Sequence, residues 1–170
     1  MLIRKSAECN IDLNIKDKNG FTALHWACDN GHSKIVEILL KKSAIFKIDL
    51  NSTDNFDRTP FHWACMNGHS KIVEMLLKKS HNLNICLDAK DGHGKTALEN
   101  AYDNGHLNIT MSVMEKFIEF NINLDTKNDI GIRVFQDACK EGYSEMVKLL
   151  MQKLVEFNID LNAKDKGVVF

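Results

Sequence analysis

Two histidines and a cysteine recur in this chain as a set: His25, Cys28 and His32 reappear as His62, Cys65 and His69. The spacing puts the first His and the Cys three residues apart, on one face of a helix. Imidazole nitrogen and thiolate are zinc ligands, and a Cys beside a His is also the pair that generates a thiolate nucleophile. No CxxC and no carboxylate cluster accompanies either set, so neither completes a metal or catalytic site. The GHG at Gly92 reads as an isolated hairpin turn without the fingerprint of a phosphate loop. Acidic residues are dispersed, and no carboxylate pair stands out for acid–base work. These residues argue for no enzyme and imply no cofactor.

The recurrence belongs to a longer period. FTALHWACDNGHSKIVEILLKKS from Phe21 and RTPFHWACMNGHSKIVEMLLKKS from Arg58 superpose with a shift of 37 residues. Ala27, Ala64, Ala101 and Ala138 keep that spacing, as do Gly31, Gly68, Gly105 and Gly142. Such a period implies a stack in which each unit packs on its neighbours.

Within a unit, a short helix follows a Thr position. Thr59 with Pro60 supplies an N-cap and a proline at the first helical position, and Thr96 with Glu99 forms a capping box. The recurring Gly supplies a positive φ past the helix end. A second helix follows, with Ser33, Ser70 and Ser144 as expected caps. Its apolar stripe at Ile35, Val36, Leu39 and Leu40 continues in phase to Phe46, about one turn beyond the Lys41-Lys42 pair. Those lysines read as a solvated face near a helix C-terminus. Segments such as IDLNIKDKNG and IDLNSTDNFD alternate apolar and polar residues before an Asp/Asn/Gly turn, which predicts a short strand entering a hairpin. Asp57 stands where Gly20, Gly94 and Gly131 are found, so the second hairpin is expected to be strained.

TALHWAC at Thr22, TPFHWAC at Thr59 and the NGHSKIVE segments closely resemble the ankyrin repeat, whose units are typically about 33 residues long. The resemblance implies an all-α repeat solenoid, an ankyrin-type stack of antiparallel helix pairs joined by β-hairpin loops. It gives one domain over 1–170: a partial repeat at 1–10, repeats at 11–47, 48–84, 85–121 and 122–158, and a partial hairpin at 159–170. The four additional residues per unit fit a longer second helix. In this family the motif His orients loop backbone, the His after Gly bridges turns and the Cys fills a small-residue slot, which is the reading taken over zinc or redox chemistry. Trp26 and Trp63 are expected to seal adjacent units, and Met111, Met114 and Met151 to fill core. Repeats three and four depart from the pattern, with Glu99 and Gln136 for His, Arg133 for Thr, and Asn100 and Asp137 for Trp, and are expected to be less stable.

The formal charge of -1 gives no whole-chain bias toward nucleic acid or anionic membrane, and no apolar run approaches 20 residues. Five cysteines without framework spacing, with Cys28, Cys65 and Cys139 at one repeat position, read as reduced core thiols in an intracellular setting, cytoplasmic or nuclear. The sequons at Asn51 and Asn108 are not read as glycosylated. Leu154, Asp160, Leu161 and Asn162 resemble targets of the asparaginyl hydroxylase that modifies ankyrin hairpins, though a structural hairpin Asn is the preferred reading.

The resemblance places function in binding a protein partner through hairpin tips and the concave helix face, as an adaptor or scaffold. Lys18, Asn19, Phe21, Asp29 and Asn30 of repeat one would form it with Asn55, Phe56, Arg58, Met66 and Asn67 of repeat two. Repeat three would add Gly92, His93, Lys95, Asp103 and Asn104, and repeat four Asp129, Ile130, Ile132, Lys140 and Glu141. The alternative is an ankyrin segment of a larger protein whose activity lies outside this chain. Leu2 and Phe157, near ends without a polar capping repeat, are expected to favour end-to-end self-association.

Overall fold

The computed structural model describes residues 12–120, 130–144, 147–148 and 150–151. Seven helices are delimited among them: α1 Ala23–Asp29, α2 Ser33–Phe46, α3 Pro60–Met66, α4 Ser70–Leu83, α5 Ala97–Asp103, α6 Leu107–Glu119 and α7 Ile130–Glu141. The chain divides into two compact units, Met1–Ser112 and Val113–Phe170.

In the first unit, α1, α3 and α5 pack in a row, α2 and α4 pack side by side, and the short helices α1 and α3 lie on their long partners α2 and α4. The 37-residue period becomes a set of layers. Leu24, Phe61 and Leu98 are each at most 1% exposed, and Val36 with Val73, Leu39 with Leu76, and Leu40 with Leu77 are buried at equivalent positions. Sealing side chains of this size away from water contributes about 1.5–3 kcal/mol each before the entropy of ordering them. Ala27, Ala64 and Ala101 are buried where the short helices approach one another, which leaves no room for a larger side chain.

The local chemistry is the same in each unit. Thr22 and Thr59 cap α1 and α3, and the His at the third helical position closes each box. Glu99 closes the box at Thr96 of α5. Gly31, Gly68 and Gly105 take positive φ at the turn into the long helix. The long helices α2 and α4 each run 14 residues, past the lysine pairs, and end on Lys47 and Asn84 in the left-handed conformation.

Five expectations change. Ser33 and Ser70 are not caps: His32 and His69 occupy the N-cap positions without a side-chain cap bond, and the serines are the first helical residues. The strands do not form among the described residues, where only an isolated bridge between Lys90 and Thr96 appears. Each turn is closed by backbone bonds of its own, Asp17 N–H to Phe21 O at 2.9 Å, Asp54 N–H to Arg58 O at 2.9 Å and Asp91 N–H to Lys95 O at 2.8 Å, and the loops also bond along the stack: Asn55 N–H donates to Asn19 O at 3.1 Å and Gly92 N–H to Phe56 O at 2.8 Å. With these bonds the loop amides are satisfied without a longer ladder.

Repeat four differs as well. α7 begins at Ile130, four residues before the position equivalent to Ala97, so Gly131 is helical and buried rather than a turn residue. Arg133 cannot cap as Thr does, and without that stop signal the helix extends over what would be the hairpin tip. Finally, Cys28 and Cys65 are buried, but Cys139 is exposed. The first two are covered by a following short helix, which α7 lacks among the described residues. Met114 is buried while Met151 is 53% exposed, so the methionines form no single core cluster. Leu2, Leu154, Phe157, Asn162 and Asp129 lie outside the described residues.

Candidate partner-binding face

The tips of the first three repeats are built on one aspartate each, spaced by the period. Asp17 Oδ1 accepts from Asn19 N–H at 2.8 Å and Phe21 N–H at 2.9 Å. Asp54 Oδ1 accepts from Phe56 and Arg58 N–H at 2.8 and 2.9 Å, and Asp91 Oδ1 from His93 and Lys95 N–H, both at 2.9 Å. The second oxygen reaches the short helix. Trp26 Nε1–H donates to Asp17 Oδ2 at 3.1 Å, Trp63 Nε1–H to Asp54 Oδ2 at 3.0 Å, and Asn100 Nδ2–H to Asp91 Oδ2 at 3.1 Å. Asn100, which departs from the tryptophan pattern, thus keeps its donor role. The Phe21 amide, followed by other hydrogen bonds, holds the Asp17 carboxyl below its ordinary range. Burial pushes Asp91 up, but bonds from Asn100, Lys95 and His93 outweigh it and the net direction is down. These aspartates went unrecognised in the sequence, although their 37-residue spacing was visible.

Histidines tie one repeat to the next. His25 Nδ1 lies 2.9 Å from Thr22 Oγ1 and accepts from Thr22 N–H, which requires Nε2 to carry the proton and donate to Arg58 O at 3.0 Å. His62 makes the same set with Thr59 and reaches Lys95 O at 3.3 Å. Burial lowers the pKa of both rings, which favours this neutral tautomer. Glu99 keeps the cap but has no second ring nitrogen for the cross-link. His69 and His106 bridge the other turns, reaching Asp29 O at 2.8 Å and Met66 O at 3.0 Å. Burial, with Asp29 adding to it, drives the Cys28 thiol up, and burial does the same to Cys65, so both stay protonated. Both ring nitrogens of His25 and His62 and the Nε2 of His69 are thus committed and the Cys28 and Cys65 thiols are neutral, while His32 is exposed and lies outside this network. No group of three His, Cys, Asp or Glu side chains converges among the described residues.

Rings line the face between tips and short helices. Phe21 packs at a tilt against Trp26 and Trp63, with ring centroids 4.8 and 5.0 Å away, and Arg58 lies over both Trp63 and Phe56, at 5.2 and 5.4 Å. Phe21 is therefore buried, at 8% exposure, and does not offer the accessible anchor expected of it; Trp26, at 44%, and Phe56, at 57%, do. Ile130 and Ile132 are also buried, which removes them from the surface.

Several polar residues of the expected surface are already engaged. Asn67 donates to Asp29 Oδ1 at 2.8 Å, Asn55 to Lys18 O, Asn30 to Trp26 O and Asn104 to Asn100 O. Lys95 pairs with Asp103 at 2.7 Å, and the turn before it is closed by Gly94 N–H to Asp91 O and Asp91 N–H to Lys95 O, both at 2.8 Å. The side chains of Lys18, Asn19 and His93 are exposed, and Met66 is half-buried. Arg58 Nε is buried without a hydrogen bond, 3.8 Å from Asp91 Oδ2.

A family model described as ankyrin repeats in three copies matches residues 1–86 and 43–124, more than half of the chain.

The chain belongs to the ankyrin repeat family.

Ankyrin repeats are interaction modules, in general non-catalytic, that bind protein partners. The Thr-capped short helix, glycine turn and histidine bridges described above are this family's frame in the all-α solenoid. Over 31 residues the chain is 58% identical to acyl-CoA-binding domain-containing protein 6 of Bos taurus and 55% to that of Homo sapiens, each stretch covering 18% of this chain and 11% of the relative. It is 47% identical over 38 residues to osteoclast-stimulating factor 1 of Monopterus albus, 22% of this chain and 18% of that protein. The match therefore spans under a fifth of each of these relatives. Among the described residues no helix is long and apolar enough to cross a membrane.

Proposed function

We propose that this ankyrin stack is a non-catalytic adaptor that captures a protein partner on the face formed by its tips and short helices. The exposed pair Phe56 and Trp26, at the two ends of a row of packed rings with Arg58 between Phe56 and Trp63, is the observation that carries this reading. Aromatic side chains and arginine dominate the energy of protein interfaces, and these are held in place before a partner arrives. The partner-facing side chains are Lys18, Asn19, Trp26, Phe56, Arg58, Met66 and His93, while Asn30, Asn55, Asn67 and Asn104 order the surface around them. Replacing Phe56 and Met66 by alanine is expected to abolish retention of the partners recovered with the native chain, identified by mass spectrometry, without lowering the unfolding midpoint. Undiminished retention would show that the face is wrong.

A second reading, an ankyrin segment of a longer protein with its activity elsewhere, rests on the relatives, in which the matched stretch is a small part of the whole. Full-length transcripts extending beyond this reading frame would support it, and transcripts confined to it would remove it.

A further inference from the structure

The near-neutral total hides a segregated face. α2 carries Lys34, Lys41 and Lys42 against Glu37, and α4 carries Lys71, Lys78 and Lys79 against Glu74. Lys41 pairs with Glu37 at 2.6 Å, whereas Lys42, Lys78 and Lys79 are exposed and make no ion pair among the described residues. Between the two long helices runs a groove of about 460 Å³ lined by Leu40, Met75, Asn82 and Leu83 together with Lys78, Lys79 and the ion pair of Lys41 with Glu37. An apolar floor under unpaired ammonium groups is complementary to an apolar side chain flanked by carboxylates.

We propose that this groove seats an apolar side chain of an acidic segment of a partner protein, with Lys78 and Lys79 pairing its carboxylates. The site lies on the long helices and is separate from the tip face. No aromatic side chain lines the groove to stack bases, which argues against a nucleic acid. An anionic membrane would need an apolar stripe across both helices. The exposed Ile35, Ile38 and Ile45 of α2 have as their α4 counterparts a buried Ile72, a half-buried Met75 and a polar Asn82.

The probe is a fluorescein-labelled helical peptide of glutamate and leucine, titrated by anisotropy against the native chain. Saturable binding is expected, weakened at least about tenfold by the double substitution Lys78→Glu, Lys79→Glu and by added salt, with an unchanged unfolding midpoint. Met75→Gln should weaken it too, and the tip variant Phe56→Ala should leave it intact, which separates this site from the face proposed above. A glutamate-only peptide and a lysine–leucine peptide should bind at least about tenfold more weakly. Absent or unsaturable binding, equal binding of the glutamate-only peptide, or indifference to the lysine reversals would overturn the proposal. So would tighter binding of phosphatidylserine vesicles or single-stranded DNA than of the peptide.

Discussion

Asp54 is the residue whose removal should test most directly how the tips are held. It is 5% exposed, and its carboxylate accepts three hydrogen bonds: from Phe56 N–H, Arg58 N–H and Trp63 Nε1–H. Hydrogen bonds to a charged group contribute about 1.5–3 kcal/mol when buried. Here the donors are only partly buried and water can recover some of that, so about 1 kcal/mol per bond is a fair figure. Asp54→Ala should then destabilise the stack by about 3 kcal/mol, a fall of about 1.5 M in the urea midpoint for a slope near 2 kcal/mol/M. Asp54→Asn keeps an oxygen for the two backbone donors but turns an amide N–H toward Trp63, so it should lose only about 1–1.5 kcal/mol. Urea titration followed by far-UV circular dichroism gives the total, and Trp63 fluorescence reports the local contact. A loss below about 0.5 kcal/mol for Asp54→Ala, or equal losses for the two variants, would show that the carboxylate does not organise the tip.

Acidification should destabilise the chain in two stages. Because His25 and His62 have folded pKa values below the ordinary 6.5, their contribution is complete above that value and declines as pH falls through it, with a combined slope of at most about 2.7 kcal/mol per unit. Asp17 and Asp91, also lowered, add a second decline below about pH 4; midpoints that rise toward pH 5 would contradict the histidine assignment. Gly68→Ala should cost more than Gly105→Ala. Both have positive φ, but a Cβ at Gly68 would meet His106 Cε1 at 2.6 Å and break its bridge to Met66, while Gly105 faces open space; equal thermal shifts would refute the bridge. Of the four described cysteines, Cys86 and Cys139 should react with a thiol reagent in the native chain, and Cys28 and Cys65 only on unfolding. Mass spectrometry of labelled peptides would show this, and early labelling of Cys65 would mean that the short-helix row opens readily.

What the sequence determined by itself is the content of each unit. Thr caps, the proline start, the glycine after each short helix and the phase of apolar residues act over three or four positions, so a local reading places the helices, including the turn added beyond Lys41-Lys42. Tertiary structure decided what each side chain does once units are stacked. Phe21 reads as a surface aromatic until Trp26 and Trp63 close over it. Cys139 matches Cys28 and Cys65 by position, yet burial there depends on a neighbour laid across that face. The hairpin pattern is real in the residues and each turn is closed by its own backbone bond, but the other loop amides find acceptors in adjacent loops and in Asp17, Asp54 and Asp91, so no longer ladder is required. Short-range chemistry is written along the chain; the partners of a buried ring, an aspartate's second oxygen or a histidine's Nε2 exist only after residues from neighbouring repeats, or from separate elements of one repeat, have been brought together.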